Sequence, residues 1–110
     1  MTNDSDALIC VLYKEYLQRR KDGNTKIDAK SFGSDYHIHE TLIPKWLKED
    51  VTETCWELVR AGLLHTVDAD NHAYLVFLTD TGIIYMENRF KNGIVGVLDR
   101  ISQLRDLLPI

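Results

Sequence analysis

The sequence predicts an α+β domain in which helices surround a single β-hairpin, and three stretches carry that expectation. Between Asp50 and Gly82 the chain reads as an amphipathic helix, a reversal at Gly62, two extended runs around the polar turn Asp68-Ala69-Asp70-Asn71, and a new helix opened at Thr79. Apolar residues recur at helical spacing from Leu8 to Leu17, and do so again from Ile94 to Leu108. The 110 residues, 45% hydrophobic and 27% charged, suit one soluble unit with a modest core.

The first helix is expected from Asp4 to Gly23. Asn3 to Ser5 supply N-cap candidates, Leu8, Ile9, Leu12, Tyr16 and Leu17 form one face, and Gly23-Asn24 ends it. Its tail begins the one basic concentration of the chain. Residues 14 to 30 hold six Lys/Arg against Glu15, Asp22 and Asp28, a net of +3. Arg19, Arg20, Lys21, Lys26 and Lys30 are therefore candidate phosphate contacts, beside the plainer reading of a solvated helix end whose cations suit the dipole.

Thr25 to Asp28 reads as a short first strand, with Asp28 capping a brief turn from Ala29 to Phe32 that Gly33 stops. Residues 34 to 49 hold either a second helix that Pro44 kinks or restarts, or an insertion; helical content on both sides of Pro44 is favoured. The next helix starts at Asp50 or Val51, because Asp50 followed by Glu53 resembles a capping box. Val51, Cys55, Leu58, Val59 and Leu63 form its buried stripe, and Glu53, Glu57 and Arg60 fall on the other side. Gly62 is its left-handed terminator.

Tyr74, Val76 and Leu78 alternate with Leu75, Phe77 and Thr79 in the second strand. Thr79 caps the following helix, whose apolar face is Ile83, Met86 and Phe90, and Lys91-Asn92-Gly93 breaks it. In the last helix Ile94, Val97, Ile101, Leu104 and Leu108 make a seam, widened by Leu98 and Leu107 and ended by Pro109. So short a helix is marginal alone. It packs on its own domain, the first helix being the natural partner, or on a second copy. The domain would then be residues 1–92 and the added helix 93–110.

Glu57-Leu58-Val59-Arg60-Ala61-Gly62-Leu63-Leu64, a hairpin, and Leu78-Thr79-Asp80-Thr81-Gly82 with Glu87 beyond together resemble the core of bacterial winged helix-turn-helix regulators of the MarR and PadR kind. They are also similar to small bacterial and prophage winged-helix proteins. The resemblance covers roughly residues 50 to 90. It implies a winged helix, a three-helix core with a β-hairpin wing, plus an additional C-terminal amphipathic helix. It also implies a transcriptional regulator that dimerises through terminal helices and binds DNA.

Chemistry narrows the classes. No Gly-rich phosphate loop, nucleophile in a recognisable turn or tuned carboxylate pair is visible, so a non-enzyme without a cofactor is expected. His37 and His39, with His65 and His72, lack a completing set of ligands, so no metal is expected. Cys10 and Cys55 read as reduced thiols, and Trp46 and Trp56 as core aromatics. No apolar run approaches the ~20 residues of a membrane span and the N-terminus is acidic, which suggests a cytoplasmic protein.

Two partners remain, double-stranded DNA or a basic protein. For DNA the candidate contacts are Lys45, Lys48 and Arg60 with the basic patch, and Thr52 and Thr54 as base readers. Yet residues 49 to 80 carry seven carboxylates against Arg60 alone, a net of −6, which repels a duplex. For protein, Glu53 and Glu57 would attract a basic partner, and Ile94, Val97, Ile101, Leu104 and Leu108 would supply an apolar or homodimer interface.

Overall fold

In the computed structural model, which describes residues 1–106, helix α1 runs over Asn3–Lys21. Its cap lies just ahead of the expected Asn3 to Ser5. The Thr2 hydroxyl accepts from the Ser5 N–H at 3.1 Å. Asp4 and Asp6 in the first turn and Arg19 to Lys21 in the last complement the helix dipole. At the C-terminus the Asn24 N–H returns to the Arg19 carbonyl and that of Gly23 to Arg20, with Gly23 at φ +94°, which closes the helix in a Schellman turn. Every residue from Ser5 to Cys10 is buried, because later helices cover α1 from two sides.

The expected strand at Thr25 to Asp28 is instead a one-turn helix, α2 (Lys26–Ala29). Thr25, not Asp28, is the cap: its hydroxyl accepts from the Asp28 N–H at 3.2 Å. Sheet pairing begins a few residues later, where Ser31 bridges to Phe77. The Phe32 N–H donates to the Val76 carbonyl, and those of Val76 and Leu78 donate to Gly33 and Lys30. Phe32 is thereby buried at the centre of the domain.

Helix α3 (Asp35–Leu42) follows, capped by the Ser34 hydroxyl on the His37 N–H at 3.1 Å. It stops before Pro44, which cannot continue it. Residues 43–47 form a turn, and α4 spans Lys48–Arg60. The expected capping box is therefore corrected: Leu47 is the N-cap without a side-chain hydrogen bond, and Glu49 and Asp50 lie inside the first turn facing the positive end of the dipole. The stripe is as expected, with Val51, Cys55, Leu58 and Leu63 buried and Val59 half-buried. Gly62, at φ +81°, ends α4 in a second Schellman turn, with Leu63 N–H on the Leu58 carbonyl.

Strand β1 (Leu64–Ala69) pairs antiparallel with β2 (His72–Leu78) across the two-residue turn Asp70-Asn71, whose φ values of 51° and 64° fit a tight hairpin. Leu64 faces Leu78 and Val67 faces Leu75, after which the register slips so that Asp68 faces Ala73 and Tyr74 is the extra residue. The bulge changes the burial phase. Ala73, Val76 and Leu78 point into the core, while Tyr74, expected on the same face as Val76, is 44% exposed.

Thr79 caps α5 (Asp80–Arg89) by accepting from the Gly82 N–H at 2.9 Å. Its hydroxyl also donates to the Gly62 carbonyl at 2.7 Å, and its N–H to that of Leu63, so the end of α4 and the start of α5 are one joint. A Cβ on Gly82 would strike the Leu63 carbonyl. After Gly93, α6 (Ile94–Gln103) lies against α1, burying Val97, Ile101 and Leu104. The helix ends at Gln103, short of Leu108; Leu107, Leu108 and Pro109 lie outside the described residues. Asp6, 7% exposed, holds Arg89 and Arg100 together, a three-way ion pair joining α1, α5 and α6. Among the described residues no helix is long and apolar enough to cross a membrane.

Candidate interaction surface

The side chain that organises the outer surface of α4 and the hairpin is Asp35, at the first position of α3 and fully buried. Its Oδ2 accepts from the Thr52 hydroxyl at 2.7 Å, the Ala73 N–H at 3.0 Å and the Lys48 ammonium at 3.1 Å; Oδ1 accepts from the Tyr36 N–H at 2.8 Å. One carboxylate thus fastens α3, α4 and β2. Burial alone would raise its pKa, but the bonds from Thr52, Ala73 and Lys48 outweigh that and hold it below the usual carboxylate range. His72 Nδ1 sits 3.5 Å from Oδ1, buried and without a hydrogen bond.

Above this anchor lies an aromatic shelf. The His72 ring is 5.1 Å from Tyr36 and 4.4 Å from Tyr74, with Tyr36 edge-on, and both tyrosines are nearly half exposed. The Lys48 ammonium lies 3.8 Å from the Tyr36 ring centroid, so its charge is met by a buried carboxylate and a π face. Beside it a groove of about 240 Å³ runs between α4 and the hairpin tip, lined by Lys48, Glu49, Thr52, Glu53, Trp56 and Asn71. Trp56 is half-buried and outside the core cluster, unlike Trp46, which packs against it. The Trp56 Nε1–H donates to Asp68 Oδ1 at 3.0 Å, which fixes the indole against the hairpin.

The sequence-derived candidates separate on this map. Thr52 and Thr54 are 5% and 3% exposed, and the Thr52 hydroxyl is committed to Asp35, so neither is presented as a base reader. Lys45 is exposed. Arg60 forms an exposed pair with Glu53 at 3.4 Å. Glu53 faces solvent, whereas Glu57 turns to the start of α1 and accepts from the Ser5 and Thr2 hydroxyls, which lower its pKa.

The basic concentration is partly internal. Arg19 donates to the Ser31 carbonyl at 2.7 Å, pairs with Glu15 at 3.1 Å and lies over the Phe32 ring, so it ties α1 to the first sheet segment. Arg20 donates to the Asn24 carbonyl at 3.0 Å; Lys26 and Lys30 each lie 3.6 Å from Asp80; Lys21 is exposed. In α6, Val97, Ile101 and Leu104 are spent on α1, and Ile94 is half-buried beside Leu17. His39 Nε2 meets the Trp46 carbonyl at 2.7 Å, and the His65 ring stacks on that of Phe77.

Asp35, Tyr36, His72 and Tyr74 escaped the sequence reading as a site. Asp35 meets partners 13, 17 and 38 residues away, a pairing with no local pattern. Trp56 was visible as an aromatic, but its spacing suggested core. No known protein family, curated protein or solved structure matches the chain.

Proposed function

We propose that the chain is a winged helix, with α3, the turn at 43–47 and α4 as the helix-turn-helix and β1–β2 as the wing, and that it is a non-enzymatic module binding a basic protein segment. One observation carries this reading. The outward side of α4 and the hairpin tip bear Glu49, Asp50, Glu53, Asp68 and Asp70, while Lys48 is neutralised by Asp35 and Arg60 by Glu53.

A winged helix that reads DNA sets this helix in the major groove and depends on cations to neutralise phosphates. An acidic face of this kind repels a duplex and attracts Lys- and Arg-bearing protein. The test is binding to random-sequence duplex DNA at low and at moderate salt. We expect none at either; binding that falls steeply as salt rises would overturn the proposal and make Arg20, Lys21 and Lys45 the first residues to substitute.

A further inference from the structure

We infer that the groove between α4 and the hairpin tip receives an arginine side chain of the partner, with Trp56 as the stacking surface and Glu49 and Glu53 as the carboxylates. The inference rests on the basic-partner reading above and names where and how that partner is gripped.

Glu49, Glu53 and Trp56 stand at i, i+4 and i+7 of α4, one ridge of a single helix face. The opposite wall is Asn71 of the hairpin turn, and the open groove between them holds about 240 Å³. Trp56 has one polar atom, and Asp68 already satisfies it at 3.0 Å. What the indole offers an incoming group is therefore its ring, held in place before anything binds; such preorganisation lowers the entropy lost on association.

A guanidinium suits this arrangement better than an ammonium. It is planar, stacks on an indole, and presents a fork of donors to neighbouring carboxylates. Glu53 already takes one guanidinium, that of Arg60, in a pair 3.4 Å long with both side chains about 60% exposed. An exposed pair of that length is weak and readily exchanged for a ligand that also stacks. The cation in the wall, Lys48, is already paired with Asp35 at 3.1 Å and lies over the Tyr36 ring, which offsets its charge toward an incoming arginine. Beyond Lys48 the Tyr36–His72–Tyr74 shelf gives the rest of the segment an aromatic surface of the kind that dominates interface energetics.

The experiment titrates the ¹⁵N-labelled 110-residue chain with a short Gly-Arg repeat peptide and with the same peptide carrying citrulline for arginine. The Trp56 indole N–H resonance, assigned with Trp46→Phe, is the readout. We expect a saturable shift with the arginine peptide and none with citrulline. In Glu49→Gln/Glu53→Gln, affinity should drop about tenfold, the loss expected when both carboxylate partners of a guanidinium are removed together. Glu87→Gln, an exposed carboxylate on α5, should bind as wild type. Folding of each variant is checked by the dispersion of the remaining resonances. A still Trp56 resonance, or equal losses in the α4 double variant and Glu87→Gln, overturns the groove while leaving the acidic-face reading standing. That wider reading falls separately, if duplex DNA binds.

Discussion

Asp35 concentrates the energetics of single residues in this protein. A buried carboxylate is costly unless its lone pairs are filled, and here three donors, from α4, β2 and the Tyr36 N–H beside it in α3, fill them within 3.1 Å, with the Lys48 cation in addition. Asp35→Ala leaves the buried Ala73 N–H unpaired and removes the acceptor that Lys48 and the Thr52 hydroxyl share, though those two still meet at 2.9 Å, and breaking a buried pair of this kind costs about 3–5 kcal/mol. Urea unfolding at neutral pH measures it, and a loss under about 1 kcal/mol would mean water replaces the carboxylate at little cost. The same residue predicts an acid limb. Because its folded pKa is lowered, its stabilisation is fully present above the unfolded carboxylate value of about 3.9, and it is lost as pH falls through the folded value. Asp6 acts in the same direction: burial opposes its ionised form, and the bonds from Arg89 and Arg100 prevail. Stability should therefore decline below about pH 4, and Asp35→Ala should flatten that decline. None of this was legible in the sequence, where Asp35 looks like any acidic residue beside a helix start.

Elements were legible where their signals are local and obscure where a distant partner decides. Gly62 and Thr79 were readable because a left-handed terminator and a hydroxyl cap act within a few residues of themselves. Thr25–Asp28 was misread because an extended run needs a partner strand, and β2 offers its edge to Ser31 and Phe32 instead. The start of α4 was misplaced for a similar reason: the Pro44 turn and the Lys48–Asp35 pair favour a helix from Lys48, ahead of the local carboxylates that looked like caps. At the α4–α5 joint two glycines differ in why they are glycine. Gly62 has open space around a Cβ but a φ of +81°, so Gly62→Ala incurs the left-handed penalty of about 1–2 kcal/mol. Gly82 has ordinary helical backbone, yet its Cβ would collide with the Leu63 carbonyl, a main-chain atom that a side-chain rotation cannot move aside. Gly82→Ala must shift α5 against the hairpin, and overpacking of that sort costs about 1–3 kcal/mol or more. Thermal melts of the two variants should rank Gly82→Ala as the more damaging; the reverse order would show that the joint yields easily.

Across the whole molecule α1 is the strut between two packed bodies, α4 with the hairpin on one side and α6 on the other. The apolar seam of α6 suits either a second copy or α1 equally well in sequence, since periodicity identifies a buried face without its partner. Within one chain Asp6 is the residue that holds α6 in place. It fixes Arg89 and Arg100 across three helices, so that Val97, Ile101 and Leu104 close over α1. Removing its charge should release α6 selectively, because the α4–hairpin side is held by Asp35 through separate contacts. In Asp6→Asn the amides of α6 should exchange at least about tenfold faster, matching the 1.5–3 kcal/mol typical of charged hydrogen bonds, while those of α4, β1 and β2 keep their protection. Hydrogen exchange read by NMR at neutral pH separates the outcomes. Uniform acceleration would make the two sides one cooperative unit; acceleration that disappears as protein concentration rises would mean that α6 is held by a second copy rather than by α1.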